Sequence, residues 1–317
     1  MKTAVVTGVA GFIGSNLAEE LLKRKLKVIG IDCFTNYYSK QIKNNNIKEC
    51  KKNKNFIFVN RDIRNLDLKP ILKKANYLFH EAAQPGVRSS WGESFGTYLR
   101  NNIEITQKIL ETAKNIGTLE KIIMASSSSV YGNQEGIMNE EKTIPKPYSP
   151  YGATKLAAEN LGMIYFNNYN LPVCSLRYFT VYGPRQRPDM AFSRFIMAAL
   201  SKKKIIIYGD GKQTRDYTFI NDIIDANMSL LENKVVGQII NVGGGNVISV
   251  NNVIKLLKNI LGKEISVKNE IKQKGDVKHT QADIKKAVKK IGYKPKFNLE
   301  NGLTREIEYF KKFQKLY

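Results

Sequence analysis

Short apolar runs alternate with amphipathic stretches through the first half of the chain. The runs are Thr3–Thr7, Lys27–Asp32, Phe56–Val59, Tyr77–His80, Lys121–Ala125 and Val173–Arg177, several of them rich in β-branched and aromatic residues. Between them, Ile13–Lys25, Tyr98–Asn115 and Pro150–Tyr169 carry their apolar residues at helical spacing. A strand buried on both faces reads as a continuous apolar run, and such strands alternating with helices build a parallel sheet covered on both sides. The pattern therefore predicts an α/β fold with a doubly wound parallel sheet. After Arg177 the periodicity loosens; Gly183-Pro184 and Arg187-Pro188 break the chain and shorter elements follow. We expect residues 1–177 to form the larger unit, with a return to its sheet within residues 215–243, at Gln238–Val242. Residues 178–317 are expected to form a smaller α/β unit that mainly binds substrate. Lys43–Lys54, rich in Lys and Asn, reads as an exposed helix or loop without chemistry.

Bulk properties narrow this picture only slightly. The chain has 317 residues, 42% of them apolar, enough for one large domain or two closely joined ones and too many for global disorder. No apolar run approaches the length that crosses a bilayer. The first strand begins almost at Met1, which leaves no room for a cleaved leader. Cys33, Cys50 and Cys174 are odd in number and far apart, which points to reduced thiols and a cytoplasmic location. His80 and His279 show no metal-ligand spacing, so no metal is expected. The net charge of +23 comes mostly from dispersed lysines and is read as a solvated surface; no nucleic-acid or membrane partner is expected. The same charge would concentrate a doubly phosphorylated anion.

Chemistry enters at Gly8-Val9-Ala10-Gly11-Phe12-Ile13-Gly14, which follows the first strand directly and opens a helix. Glycines allow a tight turn and close approach of a pyrophosphate, and the helix N-terminus offers unpaired N–H groups to that anion. Asp32 ends the next strand, 18 residues beyond Gly14, where an acid can bind both hydroxyls of an adenosine ribose and repel a 2′-phosphate. The expected cofactor is NAD. Further on, Tyr151 and Lys155 share one face of a helix that Ser149 can cap and Pro150 can open. A phenol near its ordinary pKa is a poor base at neutral pH, and a neighbouring ammonium and a positive nicotinamide ring both favour the phenolate. Tyr151 could then take a hydroxyl proton while hydride leaves the same carbon. A serine run, Ser126–Ser129, ends a strand shortly before. Ser126 and Ser128 are read first as strand-end polarity.

The glycine spacing, with Tyr151 and Lys155, resembles the extended short-chain dehydrogenase/reductase family of NAD-dependent nucleotide-sugar enzymes, from Thr3 to Asp283. That resemblance implies a Rossmann-type sheet in residues 1–177. It places Asp62 and Ile63 at the adenine, and Ala82, Ala83, Gln84 and Tyr178 along the cofactor. It makes Ser127 the hydroxyl that meets the reacting oxygen and Ser129 a second substrate contact. It also implies a homodimer through a four-helix bundle of Tyr98–Asn115 and Pro150–Tyr169.

Family members oxidise C4 of the sugar and then diverge. Dehydratases carry an Asp-Glu pair where this chain has Ser128 and Ser129, and uronate decarboxylases carry Glu at Ser129. What remains is 4-epimerisation. Arg177–Ala191, Gln273–Val277 and Gln84-Pro85-Gly86-Val87-Arg88 resemble UDP-glucuronate 4-epimerases in particular. Such an enzyme must hold a carboxylate still, because a 4-keto uronate is a β-keto acid. Arg185 is the expected planar fork, with Thr180 and the Ser127, Ser128 and Ser129 hydroxyls as further donors. By resemblance Arg215 binds the diphosphate, Asp276 the uridine ribose, Tyr208 flanks the uracil, and Arg88 joins the substrate set. The alternatives are a UDP-glucose or UDP-N-acetylglucosamine 4-epimerase, a UDP-glucuronate decarboxylase, and a non-catalytic NAD-sensing regulator.

Overall fold

The computed structural model describes residues 1–317. The strands are β1 (Thr3–Thr7), β2 (Lys27–Asp32), β3 (Phe56–Asn60), β4 (Tyr77–His80), β5 (Lys121–Ser127) and β6 (Val173–Tyr178), followed by β7 (Val181–Tyr182), β8 (Ile205–Tyr208), β9 (Thr214–Phe219), β10 (Gln238–Val242), β11 (Asn246–Ser249) and β12 (Val267–Glu270). Seven of them form one sheet in the order β10-β6-β5-β4-β1-β2-β3, every pair parallel. The apolar runs thus become the strands of a doubly wound sheet, and Gln238–Val242 returns to its edge beside β6. β7, β9 and β11 make a second small sheet, and β8 pairs with β12. The chain winds outward through β2 and β3, then crosses back to β4 on the other side of β1. That reversal opens a crevice beyond the carboxyl ends of β1 and β4, where such sheets bind ligands.

Alternate side chains of each central strand enter opposite cores. Val6, Phe79, Ile123 and Leu176 lie in the larger one, Val5, Leu78 and Ile122 in the other. The larger core continues through Phe219, Val253 and Leu303, so the C-terminal elements pack onto the sheet without an apolar gap.

The helix Pro150–Tyr169 has the expected bounds; the Ser149 hydroxyl accepts the Gly152 N–H at 3.1 Å and Asn170 closes it with a left-handed φ of 55°. The stretch expected as one helix over Tyr98–Asn115 is composite. A turn at Phe95–Tyr98 leads into a π-helical segment, Leu99–Glu104, before regular helix over Ile105–Ala113. The Lys43–Lys54 patch departs from expectation at its start. Lys40–Asn46 is a helix that buries Ile42, Lys43 and Asn46. The Asn46 amide donates to the Ala10 carbonyl at 3.0 Å, so this helix braces the glycine turn. No helix is long and apolar enough to cross a membrane.

Candidate active site

A cavity of about 620 Å³ fills the crevice, a size suited to a sizeable organic ligand. Gly8, Gly11, Phe12, Ile13 and Gly14 line one end. A Cβ on Gly14 would stand 2.3 Å from the Gly8 carbonyl oxygen, so only glycine lets the helix start this close to the turn. No side chain caps the Phe12–Lys23 helix at Gly11, which leaves its first N–H groups for an anion. Asp32 is tied to the same turn by the Ala10 N–H (3.0 Å) and also accepts the Phe34 N–H in its own loop (2.8 Å), and burial pushes its carboxyl above the usual range. Asp62, Ile63, Ala82, Ala83, Gln84 and Tyr178 also face the cavity, with Tyr151 and Lys155 at its far end. The residues present fit a dinucleotide: a glycine cradle, a free helix terminus, and an acid one strand away.

Asn102, inside the π-helical segment, ties the two ends together. Its amide accepts the Gln84 N–H at 2.7 Å and donates to the Gln84 carbonyl (3.1 Å) and to the Thr154 hydroxyl (2.9 Å). The loop after β4 and the Tyr151 helix are therefore held by one side chain. The helix also presses on the serine run: a Cβ on Gly152 would lie 2.5 Å from the Ser129 carbonyl oxygen. Burial raises the Tyr151 phenol, while the nearby Ser127 hydroxyl and the positive field of Arg187 pull it down. Lys155 is buried and depressed to about 8 by desolvation, which Glu81 and Glu159 oppose. The protein's own groups leave Tyr151 neutral; the ammonium expected to acidify it is itself weakened by burial.

A smaller cavity of about 180 Å³ reaches Ser149, the cap of the Tyr151 helix, and is lined by Ser128, Ser129, Thr180, Arg215 and Asp276 among others. Ser128 thus faces a cavity instead of merely ending a strand. Ser126 lines the main cavity, and its hydroxyl is spent on Glu159, to which it donates at 2.8 Å. Arg215 is anchored to the carbonyls of Thr214 (2.8 Å) and Val277 (2.7 Å). Asp276 pairs with Arg88 at 2.7 Å, and the Arg88 guanidinium lies 4.1 Å from the centre of the Tyr208 ring. Arg88, Tyr208 and Asp276 therefore form one cluster at the outer end of the cavity.

Arg185 is the exception. Its backbone is left-handed at φ 73°, its guanidinium pairs with Glu19 at 2.5 Å, and it lines neither cavity. The turn after Gly183 directs it to the back of the glycine-turn helix. Arg187, two residues on, faces the main cavity beside Tyr151. Its Nε and Nη2 are held by Asp189, both at 3.0 Å, leaving Nη1 uncommitted. The turn thus puts Arg187 at the cavity wall and turns Arg185, the arginine expected there, toward Glu19. Lys43 and Glu81 also line the cavity and were missed. Lys43 was hidden in a low-complexity patch. Glu81, an acid in the segment that follows a buried strand, was the available signal.

A dinucleotide crevice at the switch point, lined by a Tyr–Lys pair four residues apart on one helix, defines a dinucleotide-dependent enzyme of the short-chain dehydrogenase/reductase type. The family model described as GDP-mannose 4,6 dehydratase matches residues 5–306, and the chain belongs to this nucleotide-sugar family of extended short-chain dehydrogenases/reductases. The chain is 42% identical over 307 residues to an uncharacterized UDP-glucose epimerase of Bacillus subtilis (strain 168), covering 96% of each. It is 41% identical over 312 residues to the UDP-glucuronate 4-epimerase of Thermodesulfobacterium geofontis (strain OPF15), covering 97% of this chain and 95% of that one. Its structure matches the crystal structure of UDP-glucuronic acid 4-epimerase from Bacillus cereus in complex with UDP-glucuronic acid and NAD. The TM-score is 0.96 at 44% identity, over 99% of this chain and 100% of that chain.

Proposed function

We propose that this protein is an NAD-dependent UDP-glucuronate 4-epimerase that interconverts UDP-glucuronate and UDP-galacturonate. The observation that carries the reading is the wall around Tyr151. The Arg187 guanidinium lines the main cavity with Tyr151, and the Ser128, Ser129 and Thr180 hydroxyls line the smaller cavity together with Ser149, the cap of the Tyr151 helix, with no acid at Ser128 or Ser129 to drive elimination.

NAD, when bound, supplies a hydride acceptor and a positive ring beside the phenol. The glycine turn and Asp32 would hold its adenosine half, and Lys155 and Tyr178 its far half. Tyr151, assisted by Ser127, would take the proton from the C4 hydroxyl as that carbon is oxidised. For C4 to invert, the 4-keto sugar would turn over in the pocket and Tyr151 would give the proton back with the other face presented. Until then the β-keto acid must not lose CO2. Arg187, with the Ser128, Ser129 and Thr180 hydroxyls, keeps the carboxylate near the ring plane. Arg215 binds the diphosphate, and the Arg88–Asp276–Tyr208 cluster receives the uridine, so residues 178–317 supply most of the nucleotide-sugar half. The protein works as a cytoplasmic homodimer. The outward faces of the helical segments Phe95–Ala113 and Pro150–Tyr169 expose Leu99, Ile164 and Tyr169 (41%, 51% and 52%), which supports a four-helix interface there.

The test is incubation with UDP-glucuronate followed by NMR, without and with added NAD. UDP-galacturonate should accumulate, and Tyr151→Phe should lower turnover by roughly 10²-fold or more while NAD still binds. UDP-pentose with CO2 would assign a decarboxylase. Equal turnover of a neutral UDP-hexose would remove the uronate specificity.

A further inference from the structure

Lys155 is buried at the cavity floor and donates to no protein acceptor. A buried ammonium without a counter-charge tends to lose its proton. Two carboxylates act on it, Glu81 and Glu159. Glu159 is already committed: Arg177 holds both its oxygens, at 2.9 and 2.5 Å, and Ser126 adds a third bond at 2.8 Å. Glu81 is not. It follows β4, lines the same cavity as Lys155, and receives one hydrogen bond, from the Tyr178 hydroxyl at 3.0 Å. Tyr178 is fixed in turn by the Asn227 amide at 2.9 Å, and that amide also donates to the Ile223 carbonyl at 2.8 Å. A chain of bonds from the Ile220–Glu232 helix through β6 therefore aims an otherwise free carboxyl at the cavity floor.

We propose that Glu81 is a positioning residue, the counter-charge that keeps the Lys155 ammonium protonated during turnover. The proposal rests on the reading of Tyr151 and Lys155 as the working pair.

The groups facing Glu81 leave no substitute for it. His80, its neighbour at the end of β4, is held neutral by burial, which depresses it to about 3. Tyr178 stays protonated, raised well above the usual range by burial and by Glu81 itself. The Ile220–Glu232 helix contributes only the uncharged Asn227, and from the Pro150–Tyr169 helix come Tyr151, Lys155 and the engaged Glu159. Burial pushes Glu81 up to about 7, against Tyr178 and Lys155, and Lys155 stands at about 8. Removing the Glu81 charge deletes an influence that raises Lys155, so the ammonium is lost at lower pH.

The experiment compares wild type, Glu81→Gln and Glu81→Asp. The alkaline limb of kcat should move down by about 1 pH unit in Glu81→Gln, with KM for the UDP-sugar little changed, and Glu81→Asp should restore it. Independently of turnover, the pH midpoint for trace acetylation of Lys155, read by peptide mass spectrometry, should fall in Glu81→Gln alone. An unmoved midpoint, or a uniform loss of kcat with an unmoved limb, overturns the proposal. If wild type turns over no UDP-sugar, the epimerase reading fails, while the acetylation midpoints still decide the role of Glu81.

Discussion

Replacing Glu159 by Leu isolates the charge pair under the catalytic helix. Glu159 and Arg177 are 1% and 3% exposed, so the lost partner leaves a guanidinium that water cannot reach. Arg177 Nη1 already lacks a hydrogen bond, and the Tyr131 ring, 4.6 Å from the guanidinium carbon, is a weak substitute for a carboxylate. Breaking a buried pair by removing one partner costs about 3–5 kcal/mol. At an unfolding entropy of about 2.1 cal/mol/K per residue, this chain should lose about 4–8 °C in Tm. Ser126 also loses its acceptor, so the end of β5 should loosen. The double variant Glu159→Leu/Arg177→Met removes both charges and should recover most of that loss, because the desolvation cost disappears with the pair. Thermal unfolding followed by circular dichroism across the four-member cycle measures the coupling. A double variant as unstable as Glu159→Leu would show that packing, not an abandoned charge, sets the cost.

The two arginines of the turn after Gly183 should separate cleanly. Arg187→Ala should lower UDP-glucuronate turnover by roughly 10²-fold or raise the share of UDP-pentose, whereas Arg185→Ala should mainly lower Tm; the reverse ranking would restore Arg185 as the carboxylate fork. His80 is buried between the hydroxyls of Thr7 and Thr106, each at 2.9 Å, and its pKa is depressed from 6.5 to about 3. Its contribution to stability is present above the unfolded value near 6.5 and is lost as pH falls toward about 3. Urea unfolding from pH 6.5 to pH 4 should show an extra slope approaching 1.4 kcal/mol per pH unit in wild type that His80→Gln lacks; parallel slopes would contradict it.

Local rules carried most of this protein. The six apolar runs became six neighbouring parallel strands, since a strand buried on both faces has little freedom to be read otherwise. Ser149, Pro150 and Asn170 bound the catalytic helix through backbone chemistry confined to a few residues. The glycine turn and Asp32 were legible for the same reason: strand, turn and helix are contiguous, and the acid is one strand away.

What lay beyond the sequence was direction. A turn with a left-handed residue decided that Arg187 faces the cavity and Arg185 faces Glu19, a choice that spacing cannot make. The π-helical segment that lets Asn102 brace both Gln84 and Thr154 depends on contacts 18 and 52 residues away, so helical periodicity alone reads it as regular helix. Glu81, Lys155 and Glu159 affect one another only because β4 and the Pro150–Tyr169 helix meet at the crevice. Whether a carboxyl there is free or engaged is decided by Arg177 and Tyr178, two neighbours in the chain that reach opposite faces of the sheet.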